Sequence, residues 1–153
     1  MTYLIIAIVI LIMFSAYFSA TETAFSTYNK IKMKNEAMAG NKRAQLVLDL
    51  SEDYDRLLST ILIGNNIVNI ASTTLATIFF TELLGGATGP TASTVVMTVL
   101  VLIFGEISPK SIAKDMPESF SKATAPFLRI IFVILKPLNC IFTLWKKLLT
   151  KII

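Results

Sequence analysis

Three long apolar stretches constrain this chain more than any other feature. They run from about Leu4 to Ala20, from about Leu57 to Leu84 and from about Ala92 to Ile107. A helix needs about 20 largely apolar residues to cross the hydrocarbon of a bilayer. Hydrophobic residues make up 54% of the 153 positions and charged residues only 16%, whereas soluble domains carry roughly 25% charged residues. The sequence therefore predicts an all-α membrane protein with three transmembrane helices in a single domain, residues 1–153.

The positively charged residues predict how these helices are oriented. All 14 lysine and arginine residues lie between the first and second stretches or after the third. The N-terminal MTY and the glycine-rich turn GGATGP at 85–90 contain none. Because cytoplasmic loops carry the excess of Lys and Arg, we expect the N-terminus outside and the C-terminus inside. A cleaved signal peptide is not expected, since its positive charge would precede the apolar run.

Two further segments, about 41–50 and about 122–147, are predicted to form amphipathic helices on the cytoplasmic membrane face. The second segment could be a fourth span, but that topology would place three lysines outside. On the inner leaflet, anionic lipids attract each cation by roughly 1 kcal/mol. The net charge of +4 therefore indicates membrane lipid as a partner, with no need for nucleic acid. Ser51 is the predicted N-cap of the second span.

Some functions are disfavoured by what the chain lacks. The single cysteine, Cys140, cannot form an internal disulfide, and the chain contains no histidine, so zinc and iron sites of the usual kind are not expected. The spans contain no paired aspartates and no evident base to activate a serine. We therefore do not expect an enzyme.

Polar residues recur inside the apolar stretches at helical spacing. In the first stretch they fall at i, i+4, i+7 and i+11, which places them on one stripe of a helix. The second stretch has one row at intervals of seven and an adjoining arc. The first stripe comprises Ser15, Ser19, Glu22 and Ser26, the row comprises Ser59, Asn66 and Thr73, and the arc comprises Asn65, Asn69 and Ser72.

Glu106 is the only acid near the end of the third apolar run. An acid within a span costs about 2.5 to 3.5 kcal/mol on insertion scales and is a functional candidate by default. Pro109 has no N–H for the carbonyl of Gly105, so we expect a kink or loosening that frees this carbonyl. Helical rise places Ser15, Asn66 and Glu106 in the cytoplasmic half of the membrane.

The oxygens expected to converge there come from carboxylate, hydroxyl, carboxamide and backbone groups. Such hard oxygens suit magnesium, calcium or sodium, and composition does not separate magnesium from sodium. Simpler interpretations stay open. Polar side chains can join helices at about 0.6 kcal/mol apiece, and Glu106 could pair with Lys110 on a regular helix. Glu22 could be a solvated interfacial carboxylate or part of a cation funnel.

Three motifs together resemble the transmembrane domain of the CorC/cyclin-M (CNNM) family of magnesium transporters: FSATETAFS at 18–26, LIGNNIVNIAS at 62–72 and FGEISPKSIA at 104–113. The resemblance implies a homodimer of three-span protomers in the plasma or inner membrane, which exports Mg²⁺ with Na⁺ as the expected coupling ion. The implied Mg²⁺ site comprises Ser15, Ser19, Asn66 and Glu106, with Gly105 through its carbonyl. From the polar stripes, Asn69 and Glu22 are secondary candidates.

The chain departs from the family pattern at its C-terminus. Family members usually continue into a cytoplasmic pair of cystathionine-β-synthase (CBS) modules that bind ATP, whereas this sequence ends at Ile153 and resembles an excised membrane domain. Two function classes therefore follow. The first is a magnesium transporter, and the second is a membrane-anchored sensor or scaffold whose polar stripes serve dimer assembly.

Overall fold

A computed structural model describes all residues, 1–153, and contains helices but no strands. The chain forms eight α-helices and one π-helical segment. They are α1 Thr2–Thr27, α2 Lys30–Met38, α3 Lys42–Ser51, α4 Tyr54–Leu84, α5 Gly89–Leu100, the π segment Val101–Ile107, α6 Ser108–Asp115, α7 Pro117–Ile134 and α8 Lys136–Ile152.

Three helical units are long and apolar enough to cross a membrane, as predicted. They are α1 with 26 residues, α4 with 31 residues, and the continuous unit Gly89–Asp115 with 27 residues. Each extends beyond its predicted apolar stretch, because a helix does not end where its side chains become polar. At the N-terminus of α4, Asp53 is the N-cap and accepts a hydrogen bond from the Arg56 N–H (3.2 Å).

The predicted cap at Ser51 was wrong. Ser51 is the last residue of α3, and its hydroxyl donates to the carbonyl of Val47 (2.7 Å). The chain makes one more short turn before α4 begins at Tyr54. Asp53 has the same capping chemistry as Ser51, so residue type alone did not select between them.

The third unit passes through a π helix rather than a break. The Ser108 N–H bonds to the carbonyl of Ile103, five residues earlier, at the end of the π segment. Pro109 then occupies the first turn of α6, directly after the π segment, and supplies no backbone N–H to the preceding turn. The loosening expected near Pro109 therefore takes the form of a wider helical turn just before the proline. Segments of this kind are rare and frequently lie at functional sites.

Helix α1 is the centre of the packing and contacts α4, the π segment, α6 and α7. Gly64 permits its close approach to α4, because a Cβ at Gly64 would lie 2.5 Å from Cζ of Phe18. The larger apolar core lies toward the C-terminal end of α1. Its fully buried members include Met33, Val47, Leu57, Ile61 and Leu128.

The turn between the second and third spans lies where the sequence predicted it. Gly85 has φ = 89°, a left-handed conformation that favours glycine. Gly89 begins α5 so close to α4 that a Cβ would lie 2.5 Å from the Cα of Thr81. The two glycines therefore allow an abrupt reversal and close packing immediately after it.

The shorter helices match their predictions in part. The segment predicted at 41–50 is α3, capped by the Asn41 side chain, which accepts from the Ala44 N–H (3.1 Å). Helix α2 was not predicted, although Asn29 accepts hydrogen bonds at its N-terminus from Ile31 and Lys32. The segment predicted at about 122–147 forms α7 and α8, which meet at a 70° bend and together are apolar enough for a broken span or a re-entrant loop. Their place on the inner leaflet stays a prediction, as does the orientation of the termini.

Candidate functional site

Side chains and backbone from all three spans meet at Ser15 of α1. Ser15 is fully buried, and its hydroxyl donates to Oδ1 of Asn65 in α4 (3.2 Å). Gly105 of the π segment faces the same hydroxyl, since a Cβ there would lie 2.8 Å from Ser15 Oγ. We call Ser15, Ser19, Asn65, Asn69 and Gly105 the three-span cluster. The π segment can approach Ser15 this closely because Gly105 has no side chain.

Two buried oxygens of this cluster have no hydrogen-bond partner. Ser19 is fully buried one turn after Ser15, and its hydroxyl is unpartnered. Asn69 donates its Nδ2 to Oδ1 of Asn65 (3.4 Å), while its own Oδ1 is buried and unpartnered. Buried polar atoms are usually satisfied, and leaving one unsatisfied costs about 1 to 3 kcal/mol. These oxygens could coordinate a cation or hold its retained waters.

Asn66 lies outside this cluster. It is exposed on α4 and makes no side-chain hydrogen bond, whereas its neighbour Asn65 contacts Ser15. Adjacent helical residues are separated by about 100° around the axis, so Asn65 and Asn69 share a face that Asn66 does not. The structure thus brings Ser15 and Gly105 together with Asn65, which the sequence placed on the polar arc of the second span but not in the implied Mg²⁺ site. The i, i+4 spacing of Asn65 and Asn69 was the available signal.

Glu106 follows Gly105 directly and is half-buried. Its carboxylate makes no hydrogen bond or ion pair within the chain. The alternative pairing with Lys110 is absent, because the two salt bridges present join Lys122 to Glu36 and Lys146 to Asp55. The acid is therefore available to a cation or to water rather than being committed to a structural ion pair.

The first polar stripe divides along α1. Ser15 and Ser19 are buried, Glu22 is half-buried and Ser26 is exposed. The Ser26 hydroxyl donates to the Glu22 carbonyl of the same helix (2.8 Å), while the Glu22 carboxylate has no hydrogen-bond partner. Only the two serines nearer the N-terminus belong to the cluster.

The chemistry of the cluster is that of hard oxygen ligands. No group of three or more His, Cys, Asp or Glu residues is arranged to hold a metal ion. A cation here would meet hydroxyl, carboxamide and backbone oxygens, with Glu106 as the adjacent acid. Magnesium commonly keeps several waters and uses one or two carboxylates, so this donor set does not require a cage of acids.

Comparison with known proteins assigns the family. Residues 6–153 match CNNM, the cyclin M transmembrane N-terminal domain. The chain is 40% identical over 124 residues to the UPF0053 inner membrane protein YfjD of Escherichia coli, covering 81% of this chain and 29% of that protein. It is 36% identical over 150 residues to a UPF0053 protein of Haemophilus influenzae, covering 98% of this chain and 36% of that protein.

A further relative has a name that states an activity. The chain is 31% identical over 150 residues to the polyamine export protein of Haemophilus influenzae, covering 90% of this chain and 35% of that protein. The chain thus spans about a third of the length of these relatives. Its three apolar helical units and its inner-membrane relative support a multi-pass membrane protein. The chain belongs to the cyclin M (CNNM) transmembrane domain family.

Proposed function

We propose that this chain is the membrane domain of a magnesium exporter and that its three-span cluster, with Glu106, binds partly dehydrated Mg²⁺ as the transported substrate. The observation that carries the proposal is the meeting of Ser15, Asn65 and Gly105 beside the unpartnered hydroxyl of Ser19. Three separate spans contribute oxygen atoms or backbone to one buried point. Oligomer assembly alone does not account for unpartnered oxygens buried inside a single chain.

In this proposal the neutral oxygens replace some of the water lost by the ion. The hydroxyls of Ser15 and Ser19 and the carboxamides of Asn65 and Asn69 would contact the ion or its waters. Glu106 would supply the negative charge, because a dication away from bulk water needs a compensating carboxylate. A ligand set with one carboxylate binds Mg²⁺ more weakly than a ligand set with several. Weaker binding suits a transported ion, because the ion must also be released.

The π segment gives this site a place to change shape. Helices that depart from regular α geometry are tolerated at membrane depth where protein or water covers the altered backbone, and transporters place ion sites at such interruptions. Gly105 lies in the π segment and against Ser15. A change in the winding of residues 101–107 would therefore move the Gly105 backbone and Glu106 relative to α1, opening the site to either membrane side in turn.

Asn66 has a separate place in the proposal. Its exposure on α4 leaves its carboxamide available to an ion entering the site or to a second copy of the chain. We propose that the protein works as a homodimer in the cell membrane, with Na⁺ as the coupling ion. We further propose that CBS modules which bind ATP, and which usually follow this domain in the family, regulate its activity.

Polyamine export is a second candidate function. It is favoured by the relative named a polyamine export protein, which aligns with 150 residues at 31% identity. Hydroxyl and carboxamide oxygens can accept hydrogen bonds from ammonium groups as well as coordinate Mg²⁺. A polyamine is long, however, and its spaced charges would need acids beyond Glu106, for which Glu22 is the half-buried candidate on α1.

A flux experiment separates these functions. The chain would be reconstituted in liposomes, and Mg²⁺ and spermidine movement would be followed with and without a Na⁺ gradient. Mg²⁺ flux that requires Na⁺ and is lost in Glu106→Gln would support the proposal. Flux of spermidine alone would assign the second function. The matched control is Glu82→Gln, which changes an exposed acid at the C-terminal end of α4.

Binding must be measured beside flux, because this chain spans only about a third of the length of its relatives. Mg²⁺ titration of the purified chain, followed by thermal unfolding, reports on the site without requiring turnover. If Mg²⁺ neither binds nor moves, the scaffold interpretation replaces the transporter. Under that interpretation, Ser15→Ala and Glu106→Gln would weaken dimerisation instead.

A further inference from the structure

A polar cavity of about 210 Å³ lies away from the three-span cluster. It is formed between the N-terminal end of α4 and one side of α8. The α4 side contributes Asp53, Asp55 and Arg56, and the α8 side contributes Asn139, Thr143 and Lys146. The only hydrophobic residue in its lining is Phe142.

Asn139 lines this cavity and carries a buried acceptor atom without a partner. Its residue exposure is 3%, its Nδ2 donates to Thr60 Oγ1 (2.6 Å), and its Oδ1 has no partner. The Thr60 hydroxyl donates in turn to the Arg56 carbonyl (2.9 Å), so its oxygen can only accept from Asn139. This chain of bonds fixes the carboxamide orientation and leaves Oδ1 as the atom that needs a donor.

Charges of both signs border the cavity. The Asp55 carboxylate pairs with Lys146 (3.3 Å), and both side chains are largely exposed. The Arg56 guanidinium lies 4.5 Å from the centre of the Phe132 ring, and Asp53 accepts from the Arg56 N–H. An exposed ion pair contributes little to stability, so a ligand with both charges could exchange with it at small cost. The arrangement fits a zwitterion better than a simple anion or cation.

Helix α8 presents the features of a membrane-interface helix beside this cavity. Its exposed apolar side chains include Ile141, Leu144 and Trp145, and Lys146 and Lys147 follow directly. Amphipathic helices of this composition lie at the boundary between headgroups and acyl chains, where tryptophan is enriched. The cavity would then open at the depth of lipid headgroups.

We propose that this cavity binds the headgroup of a zwitterionic aminophospholipid. The primary ammonium donates to Oδ1 of Asn139, with the Thr143 hydroxyl and the Asp55 carboxylate beside it. The phosphate faces Arg56 and Lys146, and Phe142, which is 49% exposed, contacts the start of the acyl chains. This inference does not depend on the proposed ion transport.

The test uses the number of hydrogen-bond donors on the headgroup. The full chain would be placed in lipid nanodiscs with equal amounts of phosphatidylethanolamine and phosphatidylcholine, and retained lipid would be measured by native mass spectrometry. A primary ammonium can donate to Asn139, and a trimethylammonium cannot. Since a hydrogen bond to a charged group is worth about 1.5 to 3 kcal/mol, we expect phosphatidylethanolamine to be retained at least roughly tenfold more tightly.

Matched variants locate the effect. Thr143→Val should reduce the preference, whereas Thr150→Val should not, because both hydroxyls donate to a carbonyl four residues earlier in α8 at 2.9 Å and only Thr143 lines the cavity. Asp55→Asn should also reduce it, with Asp49→Asn on α3 as its exposed control. Asn139→Leu should abolish it, and the other two variants keep the test valid if this one unfolds.

Several results would overturn the proposal. Equal retention of the two lipids would show that no ammonium donor is recognised. A preference unchanged in both Thr143→Val and Asp55→Asn would place the lipid elsewhere. Displacement by free glycerophosphoethanolamine at the affinity of the lipid itself would assign the cavity to a soluble ligand.

Discussion

Two buried serines join transmembrane helices in this molecule, and their surroundings differ. Ser93 of α5 and Thr77 of α4 lie near the turn between spans, with their hydroxyls 3.3 Å apart. Thr77 also donates to the carbonyl of Thr73 (2.9 Å). Ser15 joins α1 to Asn65 of α4 at a similar 3.2 Å. Each contact thus joins a fully buried serine to a polar side chain of α4 at a similar distance.

The difference lies in what each contact leaves unsatisfied. Beside Ser93 the hydroxyls of both partners are bonded, and no unpartnered buried oxygen adjoins them. Beside Ser15 lie the unpartnered oxygens of Ser19 and Asn69 and a glycine in a π segment, and the half-buried acid Glu106 follows that glycine in the chain. An interhelical hydrogen bond by itself therefore indicates packing. Unsatisfied oxygens and an uncommitted acid distinguish a ligand site from packing.

The largest expected effect is at Glu106. A ligand at 100 times its Kd stabilises the folded state by about 2.7 kcal/mol, and Glu106→Gln should remove this Mg²⁺-dependent gain because it removes the compensating charge. Glu82→Gln, near the Ser93 contact, should retain it. Thermal unfolding with and without Mg²⁺ measures both. A full gain in Glu106→Gln would remove the acid from the site.

The next effect is at Gly105. A methyl group there would lie 2.8 Å from Ser15 Oγ, so Gly105→Ala should displace the serine, break its bond to Asn65 and destabilise the fold by roughly 1 to 3 kcal/mol. Gly86→Ala should have little effect, since a Cβ at Gly86 meets nothing within 4 Å. Chemical denaturation of the two variants checks this prediction. Equal stability would mean that α1 and the π segment are less closely packed than described.

The adjacent asparagines sharpen the comparison further. Asn65→Ala should destabilise the fold by about 1 kcal/mol, because it removes the acceptor of Ser15, and should weaken Mg²⁺ binding. Asn66→Ala should leave stability unchanged, because Asn66 is exposed, and lower only the rate or affinity of Mg²⁺ uptake. Unfolding and Mg²⁺ titration separate the two. The reverse pattern would indicate that α4 is rotated by one residue from its described position.

The smallest difference in stability is expected between the two serines themselves. Ser15→Ala and Ser93→Ala should each cost about 0.6 kcal/mol, the average for a hydrogen bond between membrane helices. Only Ser15→Ala should also weaken Mg²⁺ binding. The measurement is a Mg²⁺ titration of both variants beside the unmodified chain. Loss of the Mg²⁺ response in Ser93→Ala would show that the two serine contacts do not differ in ion binding.

The sequence predicted the spans well. It predicted less well which side chains of each span face the neighbouring helices. Apolar length alone identifies three spans, because the requirement of the bilayer is itself a length. The rotation of α4 is harder to predict, since apolar residues occur on all its sides and the row through Asn66 looks as regular as the arc through Asn65. Which row meets α1 depends on tertiary contacts such as Gly64 against Phe18.

Three local features could not be predicted fully from the sequence: the helix geometry at Pro109, helix α2 and the N-cap of α4. Pro109 predicts a disturbance, and whether the chain breaks, kinks or forms a π turn depends on how its neighbours pack. Helix α2 was missed because four of the nine residues of KIKMKNEAM are charged and the segment shows no clear apolar periodicity, although Asn29 is a recognisable cap. Ser51 and Asp53 have equal capping chemistry, so only the structure selects between them.

A double-mutant cycle on Mg²⁺ affinity tests the central claim most directly. The claim is that oxygens from separate spans hold one ion, so Ser15→Ala and Glu106→Gln should be strongly non-additive, with the double variant binding Mg²⁺ no more weakly than Glu106→Gln alone. Replacing Ser15→Ala by Ser93→Ala in the cycle should give no coupling. Additive losses in the Ser15 cycle, or a Mg²⁺ affinity that neither substitution changes, would contradict the account.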